Sequence, residues 1–349
     1  MIYIDGRFLT QQMTGVQRFA YEISRRIKEI MGEQVILVCP SNLVMRDEAR
    51  ELNAQIIGKH KGHVWEQFDL PRFLKKQGSP LLLCLCNVAP LFYKNKVVTI
   101  HDVAFEVFPQ TFSRSFLCYY KFLIPRIVRN SRLVVTVSNF SKSELIRCYK
   151  IDEKKIIVVY NAVNERFRYV EDLNLRKNQY FLAVSSLNYR KNFSTVLKAF
   201  IIYSLHNDNF NLYIIGDLQS RSFGDVNIDD YRNNPRIKFL GRVSDEELIR
   251  YYSNAIGFIY PSFYEGFGIP LLEAQKCDCP VLCSDIPVFH EVCGDSVLYC
   301  DANAPESMSV MMESMGKERE MLQEKGRQNV NRFSWIISSS MFVDILKRL

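Results

Sequence analysis

The sequence predicts an α/β protein with two doubly wound, parallel-sheet domains. Three observations carry this reading. Short, nearly continuous apolar runs alternate with helical stretches, the rhythm restarts after a polar segment near the middle, and 349 residues are enough for two domains that each bury a core. The composition, 48% hydrophobic and 24% charged, excludes a disordered polar chain, a collagen-like repeat and a disulfide miniprotein.

In the first half, Ile2–Asp5 reads as a strand. Thr14–Ile30 follows with Val16, Phe19, Ile23 and Ile27 on one helical face. Val35–Val38, Leu81–Leu85, Val97–Ile100, Leu133–Val137 and Ile156–Val159 are further strands bounded by polar or turn residues, and a helix begins after Ser138, with Ser141 and Glu144 in capping-box spacing. The charged stretch Asn164–Asn178 suits an interdomain linker. Beyond it, Tyr180–Val184, Leu212–Ile215, Ile237–Leu240, Ile256–Tyr260, Val281–Cys283 and Val297–Tyr299 read as strands, with helices at Asn192–Leu205, Asp245–Ser253 and Pro270–Cys277. The expected domains are 1–165 and 166–332, with a terminal helix at 333–349. Ligands of such sheets bind beyond the carboxyl ends of the strands, so a cleft between two Rossmann-like domains is the expected site.

No run of roughly 18 apolar residues occurs, and the first ten residues lack the pattern of a secretory signal, so a cytoplasmic protein is expected. The ten cysteines sit mostly in apolar runs, and the C-x-C pairs Cys84/Cys86 and Cys277/Cys279 have no neighbouring pair or His in metal-ligand spacing. Neither a metal site nor a cofactor is therefore expected. A net charge of +7 without a basic block or an RNA- or DNA-binding motif argues against nucleic acid; it suits nucleotide diphosphates or an anionic membrane surface.

The sharpest signal is YPSFYEGFGIPLLE at Tyr260–Glu273. A strand meets a loop with Gly266 and Gly268, and Pro270 opens a helix whose free N–H groups suit an anion. Glu265 and Glu273 flank the turn. Two readings stand side by side: carboxylates that accept hydrogen bonds from sugar or ribose hydroxyls, or a helix-terminal carboxylate placed by the macrodipole with another in solvent.

The E-x7-E spacing in this Gly-Phe-Gly-Pro setting resembles retaining glycosyltransferases of family four, which have the GT-B fold. The resemblance runs collinearly over nearly the whole chain: Thr14–Phe19 (TGVQRF), His101-Asp102, Val137–Ser141, Tyr160–Val163, Asn188–Asn192 (NYRKN), Phe239–Val243 and Ser284–Pro287. It implies two Rossmann-like domains facing a cleft, with the C-terminal helix crossing back to the first. Lys191 and Arg190 are then expected to face the donor diphosphate, and Ser185 stands where many members carry a second basic residue. Glu273 is expected to take the ribose hydroxyls and Glu265 the donor sugar. Gly266, Phe267, Gly268, Ile269 and Leu272 would complete the donor cradle together with Gly216 and Val243, and Gly15 would close on the diphosphate. His101 would contact the donor sugar, with Asp102 on the acceptor side.

Without a D-x-D triplet, charge on the leaving diphosphate is left to basic side chains, so a metal-independent retaining transfer is expected, by a front-face reaction or by double displacement through Glu265. GDP-mannose is the first donor candidate, and a growing, lipid-linked surface glycan such as O-antigen or capsule the acceptor. Phe112–Leu133 mixes Arg114, Lys121, Arg126, Arg129 and Arg132 with aromatic residues. It reads either as a membrane-interface helix, broken or bent at Pro125, or as a core helix with solvated ends. The competing functions are a sugar-nucleotide-binding protein without transfer, an epimerase and an inverting transferase.

Overall fold

The computed structural model describes residues 1–184, 188–216 and 229–349, which form two compact units, 1–161 with 334–349 and 162–333. Each is an open, all-parallel sheet flanked by helices, and each is taken on its own below.

The first unit has seven strands: β1 Ile2–Asp5, β2 Val35–Cys39, β3 Gln55–Ile56, β4 Leu81–Cys84, β5 Lys96–Thr99, β6 Leu133–Thr136 and β7 Ile156–Val158. Their order is β3-β2-β1-β4-β5-β6-β7, so the winding reverses between β1 and β4. The strands read as apolar runs because helices cover both faces. Helix Gly15–Met31 buries Phe19, Ile23 and Ile27, and helix Trp335–Lys347 packs on it through Trp335 and Phe342, whose rings lie 5.9 and 6.0 Å from that of Phe19.

Two local expectations change here. The helix at Asn139–Tyr149 is capped by Ser138, whose Oγ accepts the Ser141 N–H at 2.9 Å, while Glu144 pairs with Arg147. Only Ser138 has the extended backbone a cap requires. Helix Arg114–Asn130 runs unbroken through Pro125, since Leu123, Ile124, Ile127 and Val128 bury its inner face around the proline. Phe116, Leu117, Tyr119 and Tyr120 also pack against that core, leaving an outer face of Arg114, Lys121, Phe122, Arg126 and Arg129.

The second unit has six strands: β8 Tyr180–Val184, β9 Asn211–Ile215, β10 Ile237–Gly241, β11 Gly257–Tyr260, β12 Val281–Ser284 and β13 Leu298–Cys300. Their order is β10-β9-β8-β11-β12-β13, with the reversal between β8 and β11. The segment at 164–178 is no free linker. Phe167 is buried, the Val170 and Asp172 amides donate to Ser253 and Asn254 at 3.0 and 2.9 Å, and Arg250 binds Asp172. Arg166 and Asp172 pair with Asp245 and Arg250 of helix Asp245–Asn254 in the same unit.

Candidate functional site

Open parallel sheets bind ligands where neighbouring strands wind in opposite directions, because the loops leaving them diverge and open a crevice. In the second unit that point lies between β8 and β11. The loop after β8 carries Arg190 and Lys191, and the loop after β11 carries Glu265.

The structure joins these three side chains in one network. The Lys191 ammonium donates to Glu265 Oε1 and, at 3.0 Å, to the Tyr260 hydroxyl, which itself donates to Glu265 Oε1 at 2.9 Å. Arg190 Nη1 lies 3.3 Å from Glu265 Oε2 and donates to the Tyr264 carbonyl at 2.5 Å. Burial would raise the Glu265 carboxyl, but Lys191 and Arg190 outweigh it and hold the group at about 2. Two cations against one carboxylate leave a net positive charge in a buried place, which suits an anion with more charge than Glu265 supplies.

Backbone geometry fixes this arrangement. Residues Tyr189–Lys191 form a single 3-10 turn that ends on Asn192 in the left-handed region, φ 56°. The Asn192 amide donates to the Pro261 and Ala302 carbonyls at 3.2 and 2.6 Å, and its oxygen accepts from Thr195 at 2.8 Å. The Phe263 N–H donates to the Arg190 carbonyl at 2.9 Å, closing the two loops on each other.

Downstream, Gly266, Phe267 and Gly268 are buried, and Ile269 and Glu273 are half-buried on helix Ile269–Lys276. Gly268 must be glycine: its φ is 99°, and an added Cβ would stand 2.9 Å from Phe289. Leu272 is fully buried, so its side chain packs inside the unit. Gly216 donates its N–H to the Gly241 carbonyl at 2.9 Å, and Val243 is half-buried just past β10. Ser185 lies outside the described residues.

The remaining predicted residues belong to the first unit. Gly15 is exposed and opens helix Gly15–Met31. His101 is buried with its ring edge-on to Phe19, 4.9 Å between centroids. Its Nε2 lies 2.9 Å from the Leu85 carbonyl, which can only accept, so the proton sits on Nε2 and Nδ1 carries the lone pair. Burial lowers its pKa and favours this neutral ring. Asp102 accepts the Ala104 N–H at 2.8 Å. Among the described residues, no three His, Cys, Asp or Glu side chains gather as a metal site.

Two family descriptions match consecutive parts of the chain: Glycosyltransferase Family 4 over residues 13–167 and Glycosyl transferases group 1 over 164–331. The chain belongs to the family-four glycosyltransferases. It is 34% identical to the O-antigen chain mannosyltransferase of Salmonella typhimurium over 237 residues, 68% of this chain and 65% of that protein. It is 28% identical to O-antigen chain mannosyltransferase B of Escherichia coli over 280 residues, 74% of this chain and 73% of that one. Among solved structures, an Anabaena HepE complex with UDP and glucose matches with a TM-score of 0.76 at 14% identity, covering 100% of this chain and 99% of that one. That likeness establishes the GT-B fold.

Within this family framework, two residues carry more than the sequence suggested. Asn192 locks the basic turn, and its signal was an Asn directly after Arg-Lys, where a left-handed cap is tolerated. Tyr260 bridges Lys191 and Glu265, although as the last residue of an apolar strand it reads as core.

Proposed function

We propose that the protein is a retaining, metal-independent glycosyltransferase that moves a mannosyl residue from GDP-mannose to a growing, lipid-linked surface polysaccharide. The observation that carries the transfer reading is the buried Lys191–Arg190–Glu265 network at the strand reversal of the second unit. The donor and the glycan class follow the names of the O-antigen mannosyltransferases the chain resembles.

In this reading Lys191 and Arg190 hold the diphosphate and stabilise the charge that grows on it as the glycosidic bond breaks. Gly266–Ile269 line the phosphates and sugar with backbone N–H groups, and Glu273 accepts the ribose hydroxyls. His101, neutral with its Nδ1 lone pair, takes a hydrogen bond from a sugar hydroxyl. Glu265 has both oxygens engaged by cations, and a carboxylate held near 2 is a weak nucleophile. This supports the front-face course, in which the leaving phosphate takes the acceptor proton, over double displacement.

The test is thermal shift of the purified protein against GDP-mannose, UDP-hexoses and dTDP-deoxysugars, followed by turnover with exhaustive chelation. A raised midpoint with GDP-mannose alone, transfer that survives EDTA and an α-linked product support the reading. No shift with any sugar nucleotide removes it.

A further inference from the structure

The first unit has its own strand reversal, between β1 and β4, and a second buried charge cluster stands there. Arg7 sits in the 3-10 turn Gly6–Thr10, directly after β1. Its Nε donates to Glu66 Oε1 at 3.0 Å, and the two side chains are only 8% and 1% exposed. Glu66 Oε2 is held in turn by His63 Nδ1 at 3.2 Å, and Asp5 accepts the Arg7 backbone N–H at 2.9 Å.

Three features mark this cluster as more than a structural ion pair. First, Glu66 lies in a π-helical segment, Trp65–Asp69, a costly geometry found often at functional sites. The segment is pinned on both sides: Trp65 Nε1 donates to the Ile57 carbonyl at 2.7 Å, and Gln67 binds Ala89 and Leu91 at 3.0 and 2.8 Å. Second, Arg7 uses only Nε; its two terminal nitrogens donate to no described residue, although the side chain is nearly enclosed. Third, the Tyr119 ring lies 4.8 Å from that of His63, and its hydroxyl is buried with no hydrogen-bond partner among the described residues. Burial first, and then the Glu66 charge, push that hydroxyl up to about 12, so it stays a neutral donor. The guanidinium fork keeps its terminal nitrogens open to a ligand, and the buried hydroxyl is costly unless something else completes it.

The balance of charge says what that is. Arg7 and Glu66 cancel, and burial together with Glu66 drives Asp5 toward its uncharged form. The cluster therefore offers directed donors and acceptors without the positive excess of the Lys191 site. Such a surface suits hydroxyl groups better than phosphate or carboxylate.

We propose that Arg7, Glu66, His63 and Tyr119 form a sugar subsite that binds adjacent hydroxyls of a neutral hexose, the terminal residue of the acceptor glycan. The guanidinium fork spans two neighbouring oxygens and the Tyr119 hydroxyl supplies a further contact. The assignment to the acceptor rests on the glycosyltransferase reading above; the binding of a neutral sugar does not.

Saturation-transfer NMR tests binding directly, with the methyl glycosides of mannose, glucose and galactose, methyl glucuronide and inorganic phosphate as probes. Wild type is expected to bind at least one neutral glycoside and to lose most of that signal in Tyr119→Phe. This variant deletes only an unpartnered hydroxyl, so it is expected to fold with an unchanged or higher melting midpoint. With an elongating acceptor, Tyr119→Phe is expected to raise KM for the acceptor by about five- to tenfold, the worth of one good hydrogen bond. Arg7→Lys, which keeps the charge beside Glu66 but loses the fork, is expected to move KM the same way, with the affinity for free GDP unchanged in both variants. The subsite is overturned if wild type binds no neutral glycoside, if glucuronide or phosphate binds in preference, or if Tyr119→Phe leaves both the NMR signal and KM intact. Failure to bind any sugar nucleotide would remove the transferase reading while the glycoside experiment still decides the subsite.

Discussion

In the proposed reaction Lys191 serves two anions in turn. It pairs with Glu265 in the structure, and a donor diphosphate would draw on the same ammonium, so removing it is expected to affect stability and turnover through different partners. Lys191→Ala is expected to lose on the order of a hundredfold in turnover, because the leaving charge loses its nearest cation. Stability follows Glu265. Its folded value of about 2 lies below the ordinary 4.5, so the ion pair stabilises the fold fully above about pH 4.5 and progressively less as pH falls toward 2. Removing Lys191 raises that value, so the variant should be less stable than wild type by on the order of 3 kcal/mol at neutral pH, and the gap should close as pH falls from 4.5 to 2. Adding Glu265→Gln to Lys191→Ala should restore much of the stability and none of the turnover. Urea unfolding between pH 3 and 7 checks this; a gap that widens in acid would place Glu265 outside the influence of Lys191. The residue types of this site were legible in the E-x7-E turn and the NYRKN stretch, but their pairing was not. Lys191 and Glu265 are 74 positions apart, and only the adjacency of β8 and β11 brings them together. Arg7 and Glu66 escaped notice for the same reason, with 59 positions between them and no motif around either.

At the scale of elements, the strands were legible because a parallel sheet covered on both faces demands apolar runs, and Leu81–Cys84, Val97–Thr99 and Val281–Ser284 show them plainly. What local pattern could not show was docking. The two-residue strand β3 has both residues exposed and exists only through its pairing with β2, and the charged stretch at 164–178 is ordered by the side chains of Ser253 and Asn254. The turn at Tyr189–Asn192 has the same character: its shape depends on acceptors more than 60 residues away. Asn192→Ala leaves the Pro261 and Ala302 carbonyls without this donor and places a Cβ residue with little left-handed tolerance at φ 56°. The expected cost is about 2–3 kcal/mol, together with weaker binding of free GDP as Lys191 loses its placement. Asn192→Gly keeps the backbone freedom and loses only the side-chain bonds, so it should fall between wild type and alanine. Urea unfolding and calorimetric titration on the pair check the order; equal stability for alanine and wild type would mean the turn holds its shape without this residue.

For the molecule as a whole, an excess of +7 charges and a pI of 8.8 raise the question of where the positive surface is spent. Among the described residues no helix is long and apolar enough to cross a membrane. Helix Arg114–Asn130 shows how its sequence divides. The aromatic residues that suggested an interface mostly pack inward: Phe116, Tyr119 and Tyr120 lie against the core, with Phe116 and Tyr120 stacked at 3.8 Å. The outer face keeps Arg114, Arg126 and Arg129 around Phe122, which is 53% exposed and has the Arg126 guanidinium 3.8 Å over its ring. Lys121 is partly committed to Glu106 at 3.3 Å, so the three arginines are the better residues to test. Near an anionic leaflet each is worth about 1 kcal/mol, and one aromatic ring adds an anchor at headgroup depth. The protein is therefore expected to sediment with phosphatidylglycerol vesicles at low salt and to be released as ionic strength rises and the Debye length shortens. Reversing Arg114, Arg126 and Arg129 to Glu should abolish sedimentation while leaving the affinity for GDP unchanged, since the nucleotide is assigned to the second unit. If wild type ignores anionic vesicles at low salt, the helix is a core element with a solvated outer face, and the acceptor must be presented to the enzyme by another surface.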